Sequence, residues 1–223
     1  MHDFLLKIMP VVLWLIAAVH VFFLVTFLKR YKASKKPLNL LCAGVALGLL
    51  YDSLILSLGT VLPEGALLKG LSQVRYISHG ALIPLLLPIS AYALNFKKTG
   101  KTVVWIITGI LIVLGIGSGI TTGTVAEHVG VVRYACDKAA TPGWAYTVST
   151  AVLAYGMVIP LIIAGIIVWI KQKTPFLFLS GFLMFAFSAL GPATGNFDLI
   201  FFISMFGEVF MVLFFLLYVK KRG

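Results

Sequence analysis

Seven long apolar runs constrain this chain more than any other feature of its sequence. About 20 apolar residues in a helix cross the roughly 30 Å hydrocarbon core of a bilayer. Because only 11% of the residues are charged and 61% are hydrophobic, a soluble globular fold is excluded. The sequence predicts an all-α, polytopic membrane protein, a bundle of seven transmembrane helices at about 8–28, 38–60, 73–95, 102–122, 145–170, 175–191 and 198–219.

The distribution of Lys and Arg predicts the orientation of the bundle, because cytoplasmic loops retain basic residues. Five lie in the loop 29–37, three in 97–101, two in 171–173 and three in the carboxyl-terminal tail. Every second loop is therefore basic, which predicts the amino terminus outside and the carboxyl terminus inside. Most acids fall on the outer side, so the net charge of +11 reflects an asymmetry across the membrane.

Loop lengths indicate one domain over residues 1–223, because only the outer loops 61–72 and 123–144 are long. Glycines in the fourth span, such as Gly115 and Gly119, predict close helix packing. Cys42 and Cys136 lie near opposite membrane faces, so we expect no disulfide between them and no metal site.

Five ionisable residues lie inside the predicted spans, where a charge is costly and often marks a functional interior. They are His20, Asp52, Arg75, His79 and Glu208. Counted from the outer ends at about 1.5 Å per residue, Arg75 lies near the surface, followed by His79 and Asp52. His20 and Glu208 lie near the midplane. Although they come from four helices, these residues could line one descending path.

Hydroxyl groups accompany the ionisable residues and extend the predicted pocket. Arg75 and His79 are four residues apart, so they share a helix face, and Ser78 adjoins them. Tyr51 flanks Asp52. We therefore expect a ligand or proton pocket, without catalytic or metal-binding residues, formed by Glu208, His79, Arg75, Asp52, Ser78, Tyr51, Ser204 and His20.

Each of these residues also has a purely structural interpretation. Arg75 could reach the outer head groups or pair with Asp52 as a brace, and His20 could be a hydrogen-bonded packing residue. Glu208 is the hardest to explain in this way. A carboxyl group at the bilayer centre is either protonated or paired with a cation, and both states make Glu208 a candidate proton site.

The order of three motifs resembles the microbial (type 1) rhodopsins over most of the chain. These motifs are "YDS" in the second span, "RY" followed by "PLLL" in the third, and "STAVLAYGMVIPL" in the fifth. Arg75 and Pro84 keep the family's spacing in the third span. The resemblance implies a rhodopsin-like fold of seven helices that runs from outside to inside.

Several residues depart from the pattern of that family. Its seventh helix carries a lysine that forms the retinal Schiff base, and "FGEVFMVLFFLLY" aligns that position with Glu208. The carboxylate one turn earlier corresponds to Ser204, the acidic proton acceptor of the third helix to Ser78, and its aromatic neighbour to His79. The large aromatic of the sixth helix corresponds to about Gly181. Because a Schiff base needs an amine, we expect no covalent retinal, and any other cofactor stays unknown.

We expect a non-enzymatic protein, similar to lysine-less opsins, that binds a small, largely apolar ligand without a covalent bond. It could instead sense or relay protons through Glu208, His79 and Arg75. A proton- or ion-coupled transporter that uses Asp52, Glu208 and His79 is the main alternative. A haem-b protein with His20 and His79 as axial ligands is a lesser one.

The expected surroundings are those of a multi-pass protein in a prokaryotic cytoplasmic membrane. The partners are the lipid bilayer, the small apolar ligand and other copies of the chain, because the glycine-rich fourth span permits close contact. A nucleic-acid partner is not expected, because the basic residues form no single clustered face. A hydrolase is not expected either, because adjacent Ser78 and His79 do not face each other on a helix.

Overall fold

The computed structural model describes residues 2–193, 195 and 197–222. Its apolar runs form helices, and six of these are long and apolar enough to cross a membrane, whereas α6 is shorter. The protein is therefore a mostly helical, integral multi-pass membrane protein, as predicted. The helices are α1 (His2–Ser34), α2 (Pro37–Leu58), α3 (Ala66–Ala93), α4 (Lys98–Thr121), α5 (Gly143–Gln172), α6 (Phe176–Ala193) and α7 (Ile200–Lys221).

Helix α3 begins seven residues before the predicted boundary, and this changes the depth of Arg75. The apolar run marks only the part of a helix that suits lipid, whereas the helical backbone continues through "ALLKGLSQ". Arg75 lies nine residues after Ala66, about 14 Å along the axis. It is 8% exposed, so its guanidinium is enclosed by protein, and its expected position near the outer surface stays a prediction.

Two membrane helices contain irregular turns near prolines. A 3₁₀ turn over Ile83–Leu85 interrupts α3 at Pro84, and a π-helical segment over Val148–Tyr155 occupies the outer part of α5. Proline lacks the N–H that would bond one turn back, and Pro160 removes this bond at Gly156, where the π segment ends. Both changes of helix type therefore lie close to a proline.

The loop between α4 and α5 forms a β-hairpin, a feature that the hydropathy pattern did not predict. Strands β1 (Thr124–Val129) and β2 (Val131–Cys136) pair antiparallel, with Glu127 opposite Arg133. Valines on both sides of Gly130 favour strands, and Gly130 adopts φ of +68° at the turn. The Val132 N–H donates to the Gly59 carbonyl at 3.0 Å. This bond holds the hairpin against the end of α2.

The predicted close approach of α4 to its neighbour is present in the structure. A Cβ atom added to Gly80 would lie 2.2 Å from the carbonyl oxygen of Gly115, and one added to Gly119 would lie 2.6 Å from the backbone of Ile77. Backbone therefore packs on backbone between α3 and α4. Most of the remaining core lies among α2, α3, α5 and α7, where Leu86 and Phe215 are each 1% exposed.

Contacts between loops divide the ends of the helices into two groups. In one group, Arg222 donates to Asn95 at 2.7 Å and Lys221 donates to the Lys173 carbonyl at 3.1 Å. In the other group, His2 meets Asp198 at 2.9 Å. The basic loops and the carboxyl end of α7 thus come together, and the beginning of α1 lies beside the connection between α6 and α7.

Candidate functional site

An interior cavity of about 100 Å³ lies among α2, α3, α5, α6 and α7. Its wall is largely apolar. The polar side chains that line it are His79, Tyr155, Ser188 and Glu208. These four residues are spread along the chain from position 79 to position 208, so only the packing of the helices brings them together.

The irregular turns explain why space is left at this position. Ile83, within the 3₁₀ turn of α3, lines the cavity, and so do Leu153, Ala154 and Tyr155 at the end of the π segment. A π segment widens the helix and displaces the side chains that follow it, and such segments are frequent at functional sites. Both distorted helices therefore border the same cavity.

The cavity reaches the lipid-facing surface between α5 and α6. Tyr155 is 57% exposed and Phe185 is 40% exposed, and their ring centroids lie 6.5 Å apart. These two rings form the part of the wall that is nearest to the hydrocarbon. An apolar molecule could pass between them from the bilayer after a rotation of their side chains.

Glu208 provides the strongest polar group of the cavity. Its side chain is buried, with 5% exposure, and its Oε2 atom has no hydrogen-bond partner. Asp52 and Arg75 lie within electrostatic range of it. A buried carboxyl oxygen without a partner is costly, so this atom is suited to accept a hydrogen bond from a molecule in the cavity.

His79 connects this cavity to a second, smaller one. The second cavity has a volume of about 40 Å³ and lies between α3, α4 and α5, with Tyr76, Ser118 and Ser149 in its wall. Because the half-buried ring of His79 borders both spaces, it separates the Glu208 cavity from the smaller one. An imidazole at such a position can hold or pass a proton.

A cluster at the hairpin end of the bundle holds Arg75. Its Nε atom lies 3.6 Å from Asp52 Oδ1, and it donates to the Tyr76 hydroxyl at 3.1 Å and to the Tyr134 carbonyl at 3.4 Å. The Tyr76 hydroxyl also donates to that carbonyl at 3.1 Å. The hairpin therefore supplies an acceptor for Arg75, and the predicted pairing with Asp52 is present.

A second cation lies next to this cluster on the hairpin itself. Arg133 forms an ion pair with Glu127, its cross-strand neighbour, and its guanidinium lies 4.0 Å from the ring centroid of Phe201. Burial lowers the pKa of the Arg133 guanidinium, and the carboxylate of Glu127 opposes this shift. Arg133 thus links the hairpin to the start of α7.

Asp52 lies at the centre of the predicted ionisable set. Its charge lies within electrostatic range of His20, Arg75, His79 and Glu208. The His20 ring is fully buried, and its Nδ1 atom lies 3.5 Å from the Ser53 hydroxyl oxygen. The Nε2 atom of His20 has no hydrogen-bond partner. His20 does not line the Glu208 cavity, so the two histidines do not share a space there that would hold a haem.

Three predicted pocket residues use their hydroxyl groups elsewhere. Ser78 donates to the Arg75 carbonyl at 3.0 Å, and Ser204 donates to the Phe201 carbonyl at 2.9 Å. Tyr51 donates to the Leu71 carbonyl at 3.2 Å. None of the three lines the Glu208 cavity. Gly181 also lies outside it, because α5 packs there, with Ile162 Cγ1 2.9 Å from an added Cβ.

The structure adds four residues that the sequence did not single out. Tyr76 and Tyr134 organise Arg75, and Tyr155 and Ser188 line the cavity. Tyr76 directly follows Arg75, which is a weak signal, whereas the others carry no local signal at all. Over the described part of the chain, no three His, Cys, Asp or Glu side chains come close enough together to hold a metal ion.

The arrangement can accept a hydrogen bond inside an apolar space and can exchange protons. Comparison with known proteins adds no identification: no protein-family model matches the sequence, and no curated protein matches it.

Proposed function

We propose that this chain is a non-enzymatic, rhodopsin-like membrane protein that binds a small, largely apolar ligand without a covalent bond. The observation that carries the proposal is the apolar cavity. Glu208 and His79 are among its few polar lining residues, and Glu208 Oε2 has no hydrogen-bond partner there. The ligand therefore has an apolar body and a hydrogen-bond donor that meets Glu208.

The size of the cavity supports a small ligand. A dry engineered cavity of about 150 Å³ binds benzene, and the present cavity measures about 100 Å³. This space suits a short aliphatic or aromatic molecule or the end of a longer chain, rather than a whole polyene. The described lining residues include no lysine, which favours non-covalent binding.

The proposal includes seven membrane crossings, with the amino terminus outside. The contacts of α6 support its crossing, because its first residue, Phe176, stacks on Phe214 near the basic end of α7. The connection after α6 carries Asp198, which meets His2 at the opposite end of the bundle. Such an arrangement takes α6 across the bundle despite its shorter apolar length, and basic loops favour the inner side.

Thermal unfolding with 1-hexanol tests the proposal, because hexanol combines a short apolar chain with one hydroxyl donor. The full chain in lipid nanodiscs is compared with Glu208→Leu, which keeps most of the volume but removes the acceptor. At about five times its Kd, hexanol should raise the wild-type Tm by roughly 2–4 °C. The increase should be absent in Glu208→Leu.

Ser204→Ala provides the matched control, because Ser204 lies one turn before Glu208 on α7 and does not line the cavity. It should respond to hexanol like the wild type. An equal increase in Tm for wild type and Glu208→Leu would show that Glu208 does not anchor a ligand.

Proton relay is the second candidate function, and the position of Asp52 favours it. Asp52 lies within electrostatic range of His20, His79 and Glu208, so protonation of one group changes the others. A proton-coupled transporter would use the same groups. In proteoliposomes with a pH gradient, the wild type should acidify or alkalinise the lumen faster than Asp52→Asn. Equal rates in both would remove this candidate.

A further inference from the structure

A third cavity, independent of the Glu208 site, lies at the basic end of the bundle. It has a volume of about 230 Å³ and is bordered by the first turn of α2, the connection between α3 and α4, and the end of α7. Three cationic side chains line it, Lys36, Lys101 and Arg222. No carboxylate side chain occurs among its lining residues in the described part of the chain.

Contacts with neighbouring groups hold the cations in place around this space. Arg222 donates to Asn95 Oδ1 at 2.7 Å and to the Tyr92 carbonyl at 3.3 Å. The ammonium group of Lys101 lies 4.6 Å from the ring centroid of Tyr92. The partners named here for Arg222 and Lys101 are neutral, so they orient these two cations without cancelling their charge. The cavity therefore attracts an anion.

The first turn of α2 adds two further features. The cavity wall includes Lys36 to Asn39, and no side chain caps the amino end of α2. Such a helix end favours a negative group through the helix dipole, although Pro37 has no N–H and the Asn39 N–H donates to the Lys36 carbonyl at 3.1 Å. Asn39 is 3% exposed and donates to Ser34 at 3.0 Å, but its Oδ1 has no partner. This oxygen needs a hydrogen-bond donor.

We infer that this cavity binds a glycerol phosphodiester, in which one phosphate carries the negative charge and a hydroxyl donates to Asn39. The head group of phosphatidylglycerol has this chemistry. Basic pockets between helices at the cytoplasmic face suit anionic lipid head groups. Two buried apolar side chains, Leu38 and Val219, complete the wall.

Native mass spectrometry of the full chain with added lipids tests the inference. Phosphatidylglycerol should bind at least severalfold more tightly than phosphatidylcholine. Lys101→Gln should weaken phosphatidylglycerol binding about fivefold. Lys171→Gln is the matched control, because it removes the same charge from the last turn of α5, outside the cavity, and it should bind like the wild type.

A second pair of lipids tests the role of Asn39. Phosphatidylmethanol carries the same charge as phosphatidylglycerol but lacks the hydroxyl groups, so the wild type should prefer phosphatidylglycerol. Asn39→Leu should bind the two lipids equally.

Soluble glycerophosphoglycerol distinguishes the two sources of the ligand. Weak competition with phosphatidylglycerol supports a membrane lipid, and competition at equal concentration supports a free phosphodiester. Equal binding of phosphatidylcholine, or equal effects of Lys101→Gln and Lys171→Gln, would overturn the inference.

Discussion

At the scale of the residue, the buried pair of Arg75 and Asp52 contributes to the stability of the fold. The side chains are 9% and 13% exposed, so little water reaches either charge. Removal of one partner from such a pair leaves a buried charge without compensation, which costs more than the pair itself contributes. The carbonyl of Tyr134 and the hydroxyl of Tyr76 cannot neutralise a cation.

We therefore predict that Asp52→Asn lowers the free energy of unfolding by about 3 kcal/mol. Glu64→Gln is the control, because it breaks an exposed ion pair with His128, in which the side chains are 53% and 63% exposed. That change should stay within about 0.5 kcal/mol. Denaturant unfolding in detergent micelles measures both values, and equal losses would argue against a brace at Asp52.

A second prediction at this scale concerns retinal. A Schiff base needs a primary amine next to the aldehyde, whereas Glu208 occupies the position that the rhodopsin resemblance assigns to the lysine. The purified protein with added all-trans-retinal should show only the absorption of free retinal, and borohydride should trap no adduct. A red-shifted band that borohydride converts to a stable adduct would contradict this expectation.

At the scale of the element, glycines set the distance between helices α3 and α4. Gly80 and Gly115 face each other so closely that an added Cβ on either would contact the backbone of the other. Neither backbone can move without displacing a whole helix. The contact therefore depends on the absence of two side chains, and the position of His79, next to Gly80, depends on it in turn.

Gly80→Ala should lower the free energy of unfolding by about 1–3 kcal/mol, because it overpacks a helix interface. Gly109→Ala is the control in α4, where no atom lies within 4 Å of an added Cβ. This control change should be neutral or slightly stabilising, because Ala is the better helix former. Thermal unfolding of both variants measures the difference, and similar Tm values would contradict the close approach.

At the scale of the whole molecule, charge separates the two ends of the bundle. Basic residues gather around the third cavity, which Lys36, Lys101 and Arg222 line, and around the tail. The ion pairs of His2, Glu64 and Arg133 lie at the other end. The positive-inside rule predicts that the basic end lies on the cytoplasmic side of the membrane.

Labelling of introduced cysteines tests this orientation. In a variant with Cys42→Ala and Cys136→Ala, Lys138→Cys should react with an impermeant maleimide on intact cells, because it is exposed beside the hairpin. Lys171→Cys should react only after permeabilisation. The cysteine-free background controls for other reactive groups, and the opposite labelling pattern would reverse the orientation.

The sequence by itself determined the membrane character, the position of the helices and the ionisable residues inside them. These properties follow from local hydropathy and charge, which each segment carries alone. It did not reveal the hairpin, because an apolar window reports on lipid contact and not on strand pairing outside the membrane.

Only the tertiary structure decided which polar residues share a space. Glu208 and His79 line one cavity. Ser78, adjacent to His79, and Ser204, one turn before Glu208, donate to backbone carbonyls instead. Ser78 and His79 are adjacent on α3 and therefore lie on different faces of that helix, whereas Ser204 lies one turn away from Glu208 along α7. When lipid and protein interior are equally apolar, the hydropathy of a helix does not determine which of its faces points into the bundle.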